Sequence, residues 1–570
     1  MCGSPSQDHN IIKQTCQQHN KLKLILHNRL ITIHRNKLKY IQHNKLMEAH
    51  SMATPSEKLA QSLEVLHKLQ ERGIVAIRAR DLTRTHRERL IKGGFLQEVM
   101  KGWYISSRPD EPAGESTAWY TSFWDYCAAY LGERFGRDWC LSPEQSLSLH
   151  TGNRTVPRQL LVRSPRARNK VTDLLHATSL LDVRAALPQR QDIVELDGLR
   201  LFSLPPALVA CSPGFFTQNP TDARAALSRV RDSSDVLVHL LGGGHSTIAG
   251  RIAGAFRNIG RDSLANEIIG AMRAAGYEVR ETDPFDTRPP VILGPRETSP
   301  YVNRIRLMWQ EMRAPVIERF PRAPELPSDI EGYLKRVEDV YVTDAYHSLS
   351  IEGYRVNREL IELVRSGSWN PDANENDRNQ RNAMAARGYW QAFQAVRTSM
   401  QRVVSGENPG AVADADHRTW YREMFAPSVA AGLLGAADLA GYRNAQVYIR
   451  RSMHVPPNHE AVRELMPTLF ELLREEIEPS VRVVLGHFVF VYIHPYMDGN
   501  GRMGRFLMNV MLGSGGYPWT VVPVEARNAY MAALEDASVR QDIGPFADFL
   551  ARLVEAGLKG ETAPPVPDIA

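Results

Sequence analysis

His494-Pro495-Tyr496-Met497-Asp498-Gly499-Asn500-Gly501-Arg502-Met503-Gly504-Arg505 separates two apolar helical patterns near the end of the chain. Before it, Val481, Val484, Leu485, Phe488, Val491 and Tyr492 describe a buried helix face, and after it Phe506, Leu507, Val510 and Met511 begin another. A loop that opens into a helix N-terminus offers free backbone N–H groups and a positive dipole end, an anion site by construction. Gly499 and Gly501 remove side chains where backbone must approach a phosphate, and Asn500 carries an amide N–H to donate. Arg502 and Arg505 are three apart and leave one face of the first turn, a pair suited to a polyphosphate. Asp498 is a hard oxygen ligand for Mg2+, and His494 can accept a hydroxyl proton near neutral pH. A His before Pro, or a Gly-Asn-Gly turn, is ordinary loop sequence on its own. Base, metal ligand, glycine cradle and two arginines within twelve positions are not explained by packing.

The run resembles the signature of the Fic family, HPFx(D/E)GNGRxxR, with Tyr496 in place of Phe. Tyr keeps the apolar ring and adds a hydroxyl, so little change is expected from it. The resemblance implies AMP transfer from Mg-ATP to a Ser, Thr or Tyr hydroxyl of a protein, the enzyme itself included. His494 would then be the general base and Asp498 the Mg2+ ligand. Gly499, Asn500 and Gly501 would form the anion hole, Arg502 would reach the phosphates, and Arg505 would hold the γ-phosphate. The GNGR form sets the chain apart from the kinase-like Doc branch. Upstream, Gly441-Tyr442-Arg443, the docking segment Val447-Tyr448-Ile449 and His454-Val455-Pro456-Pro457 fit the family's flap, an edge hairpin that takes up the target by strand addition. Tyr530 and Leu534 fit its closing helices, so the resemblance covers roughly residues 295–555.

Ser348-Leu349-Ser350-Ile351-Glu352-Gly353 matches the family's inhibitory pattern (S/T)xxxE(G/N). Ser348 and Glu352 are four apart on one helix face, and Gly353 is a natural stop. A carboxylate delivered among two arginines pairs with one of them, and the resemblance names Arg505. Two other readings keep the same residues. In one, Glu352 helps a hydrolase remove AMP from a protein. In the other, the chain is a transcriptional regulator whose Fic core senses a nucleotide.

The remainder of the chain is read against its composition. With 570 residues, 43% hydrophobic and 23% charged, the chain has material for several folded domains. Gly 39 and Pro 35 are too few for a collagenous or low-complexity protein. Cys2, Cys16, Cys127, Cys140 and Cys211 form no CxxC pair, which suits a reducing compartment and no structural zinc. No apolar run approaches the roughly 20 residues of a membrane span, so a cytoplasmic protein without membrane partners is expected. The net charge of +5 is localised: residues 1–50 carry eight Lys/Arg against two acids, leaving the rest close to neutral.

Asn20, Asn28, Asn36 and Asn44 recur every eight residues, each followed by Lys or Arg and then Leu. That period fits no helix face, and either a basic nucleic-acid arm or an upstream repeat read as protein produces it. The second is the expectation, with residues 1–51 a disordered or spurious extension. From Glu57 onward, Leu59, Leu63, Leu66 and Leu69 predict a helix ending near Arg72-Gly73, then a short apolar run, a helix over Thr85–Ile91, and strands at Phe95–Val99 and Trp103–Ser106. That is the order of a winged helix over 52–110, with Arg84, Arg87, Arg89, Lys92 and the wing's Lys101 as candidate DNA contacts. A docking domain with a solvated basic face is the plainer alternative. The stretch resembles antitoxin regulators of the AbiEi type, loosely to about residue 240. Arg154, Arg158, Arg163, Arg166, Arg168 and Lys170 extend that basic surface or line a solvated strand edge. Gly242-Gly243-Gly244-His245-Ser246-Thr247 lacks the lysine of a phosphate loop and reads as a tight turn into a helix.

The expected whole is multidomain. A winged helix (52–110) and a mixed α/β domain (111–282) form the head, followed by a linker (283–300). The C-terminal half is mainly α, with helices carrying the inhibitory motif (301–408), a Fic core with a short β-hairpin flap (409–556) and a disordered tail (557–570). A head placed before such a core looks bacterial. Intact mass of the natively expressed protein checks the N-terminal expectation: a chain beginning at Met52, or at Met47, is expected, and one beginning at Met1 refutes it.

Overall fold

The computed structural model describes residues 54–109, 115–285, 299–368, 381–561 and 564–567. The N-terminal repeat, most of the expected linker and part of the tail lie outside them.

The first described helix, Pro55–Glu71, starts at a capping box in which Thr54 and Glu57 satisfy each other's backbone N–H groups. Ala79–Asp81 makes one 3-10 turn, and Thr83 caps the next helix, Arg84–Lys92. The three strands pair antiparallel in the order Ile77–Arg78, Trp103–Ser106, Leu96–Met100. Leu66, Leu69, Ile77, Leu82, Leu90, Leu96 and Tyr104 close a small core of their own. Next comes the aromatic helix Thr117–Phe135, packed on a sheet in which Gln159–Ser164 and Ser179–Arg184 run parallel, edged by Cys140–Leu141 and Lys170–Asp173. Six helices between Leu204 and Ala274 gather a second core around Phe216, Ile252 and Phe256. Gly244, at φ 63, ends one of them and turns into Ser246–Asn258, as the tight-turn reading requires. Where the linker was expected to begin, Phe285 is fully buried beneath the Arg224 guanidinium, and Asp283 accepts from the Asn258 side-chain amide.

From Pro300 onward the described chain is helical around one large core. The helix Pro479–Ile493 is apolar on nearly every side and almost wholly buried, so it is central to the domain; the one-faced pattern read from sequence understated it. Asn500–Gly513 is the second central helix, also buried throughout most of its length.

The expected β-hairpin flap is not a hairpin. Residues 441–461 contain no strand: their groups are engaged partly by the head and partly by the loop and helices of the C-terminal half. The Val156 N–H donates to Met453 O at 2.9 Å, and the Arg451 N–H donates to Thr117 Oγ1 at 3.1 Å. Arg450 and Arg451 both pair with Glu115, at 2.6 and 3.4 Å. Tyr448, Met453 and Val455 enter the core that holds Trp119, Phe123 and Trp139.

A second seam is ionic. Arg304 is buried, pairs with buried Asp222 and donates from Nε to the Tyr492 hydroxyl at 2.8 Å. Asp222 also accepts from Ser148 Oγ at 2.6 Å and from Asn153 Nδ2 at 2.8 Å. Nearby, Arg224 donates to Glu311 at 2.6 Å. Breaking one side of such a pair strands a buried charge at a cost of about 3–5 kcal/mol. Arg304→Met is therefore expected to lower the thermal unfolding midpoint by several degrees. A midpoint within a degree of wild type would show that Asp222 does not depend on it.

Candidate active site

His494 ends the central helix in the left-handed conformation, φ 53, and Gly499 repeats that geometry at φ 82 to start the next. Between these two reversals the chain crosses from one buried helix to the other. A Cβ at Gly499 would lie 2.8 Å from the Phe425 ring, and one at Gly501 would lie 2.3 Å from Glu352 Oε1. Gly499 is required by contact as well as by conformation, and Gly501 by contact alone. No side chain caps the N-terminus of Asn500–Gly513, so its first amides face the loop as the anion reading requires.

The Asn500 side chain does something else. Its Oδ1 accepts from the Tyr496 N–H and its Nδ2 donates to Tyr496 O, both at 2.8 Å. It braces the loop instead of reaching for an anion, and what it brings to an anion is its backbone N–H.

His494 holds Nδ1 3.2 Å from Val491 O, which fixes the proton there and leaves Nε2 as the basic nitrogen. Burial pushes its pKa down to about 4, with Arg443 adding to the shift, so the ring is neutral at physiological pH. Arg443 was quoted from sequence only as part of the flap. Its buried guanidinium donates to His494 O at 2.8 Å, to Ala445 O at 3.0 Å and to Pro457 O, while its own N–H donates to Pro495 O at 2.8 Å. It sets the position of the histidine without touching its ring. Nothing in the local sequence distinguishes it from any other flap arginine.

Arg502 is buried between the rings of Tyr354 and Phe425, with its Cζ 5.2 and 5.1 Å from their centroids. Its Nε and Nη2 make no hydrogen bond among the described residues, and its nearest carboxylate is Asp498 at 3.7 Å. Asp498 is exposed at the mouth of the loop, and its Oδ1 accepts from the Gly499 N–H at 2.6 Å.

Arg505 is buried and committed. Its Nε donates to Ser348 Oγ at 2.9 Å, and its Nη2 donates to Ser348 O at 3.0 Å and to Glu352 Oε1 at 2.8 Å. The helix Tyr341–Ile351 delivers both partners, ending at Glu352 with Gly353 at φ 85 just beyond it. Burial alone would raise the Glu352 pKa, but Arg505 and Arg502 hold it below the usual carboxylate value. Beneath that helix the Tyr389 hydroxyl donates to buried Asp344 at 2.6 Å. Tyr530 also belongs to the site floor, its hydroxyl 2.7 Å from His487 Nε2.

Residues 415–512 match the Fic/DOC family. The chain carries a Fic domain. Protein adenylyltransferase fic-1 of Caenorhabditis elegans is 28% identical over 230 residues, covering 40% of this chain and 42% of that protein. Protein adenylyltransferase Fic of Drosophila willistoni is 38% identical over 121 residues, 20% of this chain and 24% of the relative. The chain thus spans less than half the length of either. A solved fragment of Caenorhabditis elegans Fic-1 covers 60% of this chain at 19% identity and a TM-score of 0.34.

The remaining site expectations lie apart from the Fic loop. Val447, Tyr448 and Ile449 sit in the segment docked on the head. In the head, Arg84, Lys92 and Lys101 are exposed, Arg84 pairing with Glu88 at 2.7 Å. Arg87 instead donates to Ala79 O at 3.0 Å and Arg89 to Lys58 O at 3.4 Å, so both are engaged in holding the head together. Of the 151–172 basic run, Arg154 pairs with Asp197 and Arg163 lies over the Phe202 ring.

Four imidazoles of the Fic domain are kept neutral chiefly by burial: His417, His487 and His494 near pKa 4, and His454 near 3. Unfolded histidines titrate near 6.5, so between about 6.5 and 4 the unfolded chain binds protons that the folded domain refuses. Stability is expected to fall as the pH is lowered through that window. A thermal midpoint that stays level from pH 7 to pH 5 is incompatible with four neutral buried rings.

Proposed function

We propose that the chain is a protein adenylyltransferase held inactive by its own Glu352. One observation carries the reading. A neutral histidine whose Nε2 makes no hydrogen bond among the described residues shares one loop with a buried arginine whose Nε and Nη2 likewise make none, beside a second arginine neutralised by a carboxylate from another helix.

The residues present suit Mg-ATP. Arg502 Nε and Nη2 and Arg505 Nη1, without hydrogen-bond partners among the described residues, and the uncapped amides after Gly499 are donors suited to acceptor oxygens. Asp498, exposed and on the same loop, would hold the Mg2+. Bound there, the ion would supply charge neutralisation for the phosphates. The Gly501 backbone, lacking a side chain, lets a phosphate approach, and Arg502 fixes its orientation. His494 Nε2 takes the proton of the acceptor Ser, Thr or Tyr hydroxyl. The hydroxyl oxygen bonds to the α-phosphorus, the bond to the β-phosphate oxygen breaks, and pyrophosphate leaves. Arg505 is the group that would orient the γ-phosphate, and Glu352 occupies it. ATP entering the inhibited site therefore lacks the contact that aligns it for in-line attack.

For the head, the exposed Arg84, Lys92 and Lys101 support a DNA-reading role through the Arg84–Lys92 helix and the wing, with salt-dependent affinity.

The test uses wild type, Glu352→Gly and Glu352→Gly/His494→Ala, each with Mg2+ and α-labelled ATP in cell lysate. Label on protein is expected to rise at least tenfold on loss of Glu352, self-modification included, and to vanish with His494. Equal labelling by wild type and Glu352→Gly would refute the brake alone. No label from any variant, with release of AMP from a pre-adenylylated protein, would assign hydrolytic removal of AMP instead.

A further inference from the structure

Tyr496 is where the loop departs from the family signature, and its added hydroxyl has a definite place. The side chain is fully buried, its ring stacked on Tyr421 at 3.9 Å and 6°. The hydroxyl makes no hydrogen bond among the described residues. A buried hydroxyl without a partner costs about 1–3 kcal/mol, so its retention calls for an acceptor.

Tyr496 lines a cavity of about 710 Å3, within the size range of small-molecule sites. Arg418, Arg422 and Arg463 line the same cavity, together with Tyr421 and Tyr442. Arg418 and Arg422 are one turn apart on Pro409–Ala430, and Arg463 comes from the start of Val462–Glu475. None of the three has a carboxylate within ion-pair distance among the described residues. Arg422 donates from Nε to Arg418 O at 3.2 Å and Arg463 donates from Nη1 to His459 O at 3.2 Å, so each keeps further N–H groups free. Arg418 lies over the Tyr442 ring at 5.2 Å. Burial holds the Tyr496 phenol protonated at neutral pH, and Arg418 and Arg422 are near enough to pull the other way.

We propose that this cavity is a second anion site, taking a small molecule that bears a phosphate group, with Tyr496 donating its hydroxyl and Arg418, Arg422 and Arg463 supplying the charge. Three guanidinium groups far exceed the charge of a single carboxylate and suit a phosphate dianion better. The tyrosine rings give a planar substituent something to lie against. The lining shares Tyr496 with the catalytic loop but includes none of Asp498, Arg502 and Arg505. The two anion sites are therefore separable by mutation.

Calorimetric titration of the full chain with inorganic phosphate and with phenyl phosphate tests this. Arg422→Ala/Arg463→Ala is expected to weaken binding at least tenfold, Tyr496→Phe about threefold, and Arg505→Ala not at all, since a charge-assisted hydrogen bond is worth about 1.5–3 kcal/mol. Tighter binding of phenyl phosphate assigns the site to a phosphate ester; equal binding assigns it to free phosphate. No binding to wild type at millimolar concentration overturns the proposal. So does unchanged affinity in the double arginine variant, or loss confined to Arg505→Ala, which would put the ligand in the catalytic loop and leave the adenylyltransferase reading intact. Without ligand, Tyr496→Phe is expected to keep or raise the thermal midpoint. A fall would show that the hydroxyl is already satisfied, and would overturn its role as donor.

Discussion

The chain has to reverse between two helices that are both buried almost to their ends, and it must do so while leaving backbone N–H groups available. That constraint organises the Fic half of the molecule. A left-handed histidine and a left-handed glycine make the reversal; histidine tolerates that region better than branched residues do. The Asn500 amide then closes the loop on itself through both backbone groups of Tyr496, and Arg443 ties the same loop to the segment before it. These bonds brace the loop from within and from the segment before it.

Charge in this site is arranged as surplus and deficit. Arg502 and Arg505 are both buried, yet Arg505 has a close carboxylate partner, partly exposed at the end of a helix, while Arg502 has only exposed Asp498 at 3.7 Å. Burying an arginine between aromatic rings keeps it desolvated and fixed, so that an arriving anion meets a preorganised donor. Glu352 is held as a carboxylate by both arginines, with burial opposing them. Its hold on Arg505 is a competition with any other anion that reaches the same guanidinium.

Much of this was legible because it is local. The helix–loop–helix, its glycines, the residues three and four apart, and the Ser348–Glu352 pair all follow from spacing along the chain. The capped helices of the head and the Gly244 turn were legible for the same reason. What spacing cannot give is the partner of a side chain that reaches across the fold. Asn500 reads as a ligand donor because the one donor and one acceptor it meets on Tyr496 come together only once the loop has closed. Arg87 and Arg89 carry the same charge as Arg84, and only packing shows that they are engaged by carbonyls of the head. The flap was read as an edge hairpin, and its pairing is overridden by a docking surface more than 290 residues earlier in sequence, where Thr117, Trp119 and Val156 lie. Arg443 gives no local signal at all.

The segment that runs from Tyr442 to Pro457 belongs to two cores at once. Arg443 anchors one end to the catalytic loop, while Tyr448, Met453 and Val455 are part of the head's aromatic interior and Glu115 draws on its two arginines. A segment so shared makes the two halves thermodynamically linked. Were a ligand of the head to favour one position of the Thr117–Phe135 helix, the residues beside His494 would feel it, and by reciprocity an occupant of the His494 loop would change that ligand's affinity by the same free energy.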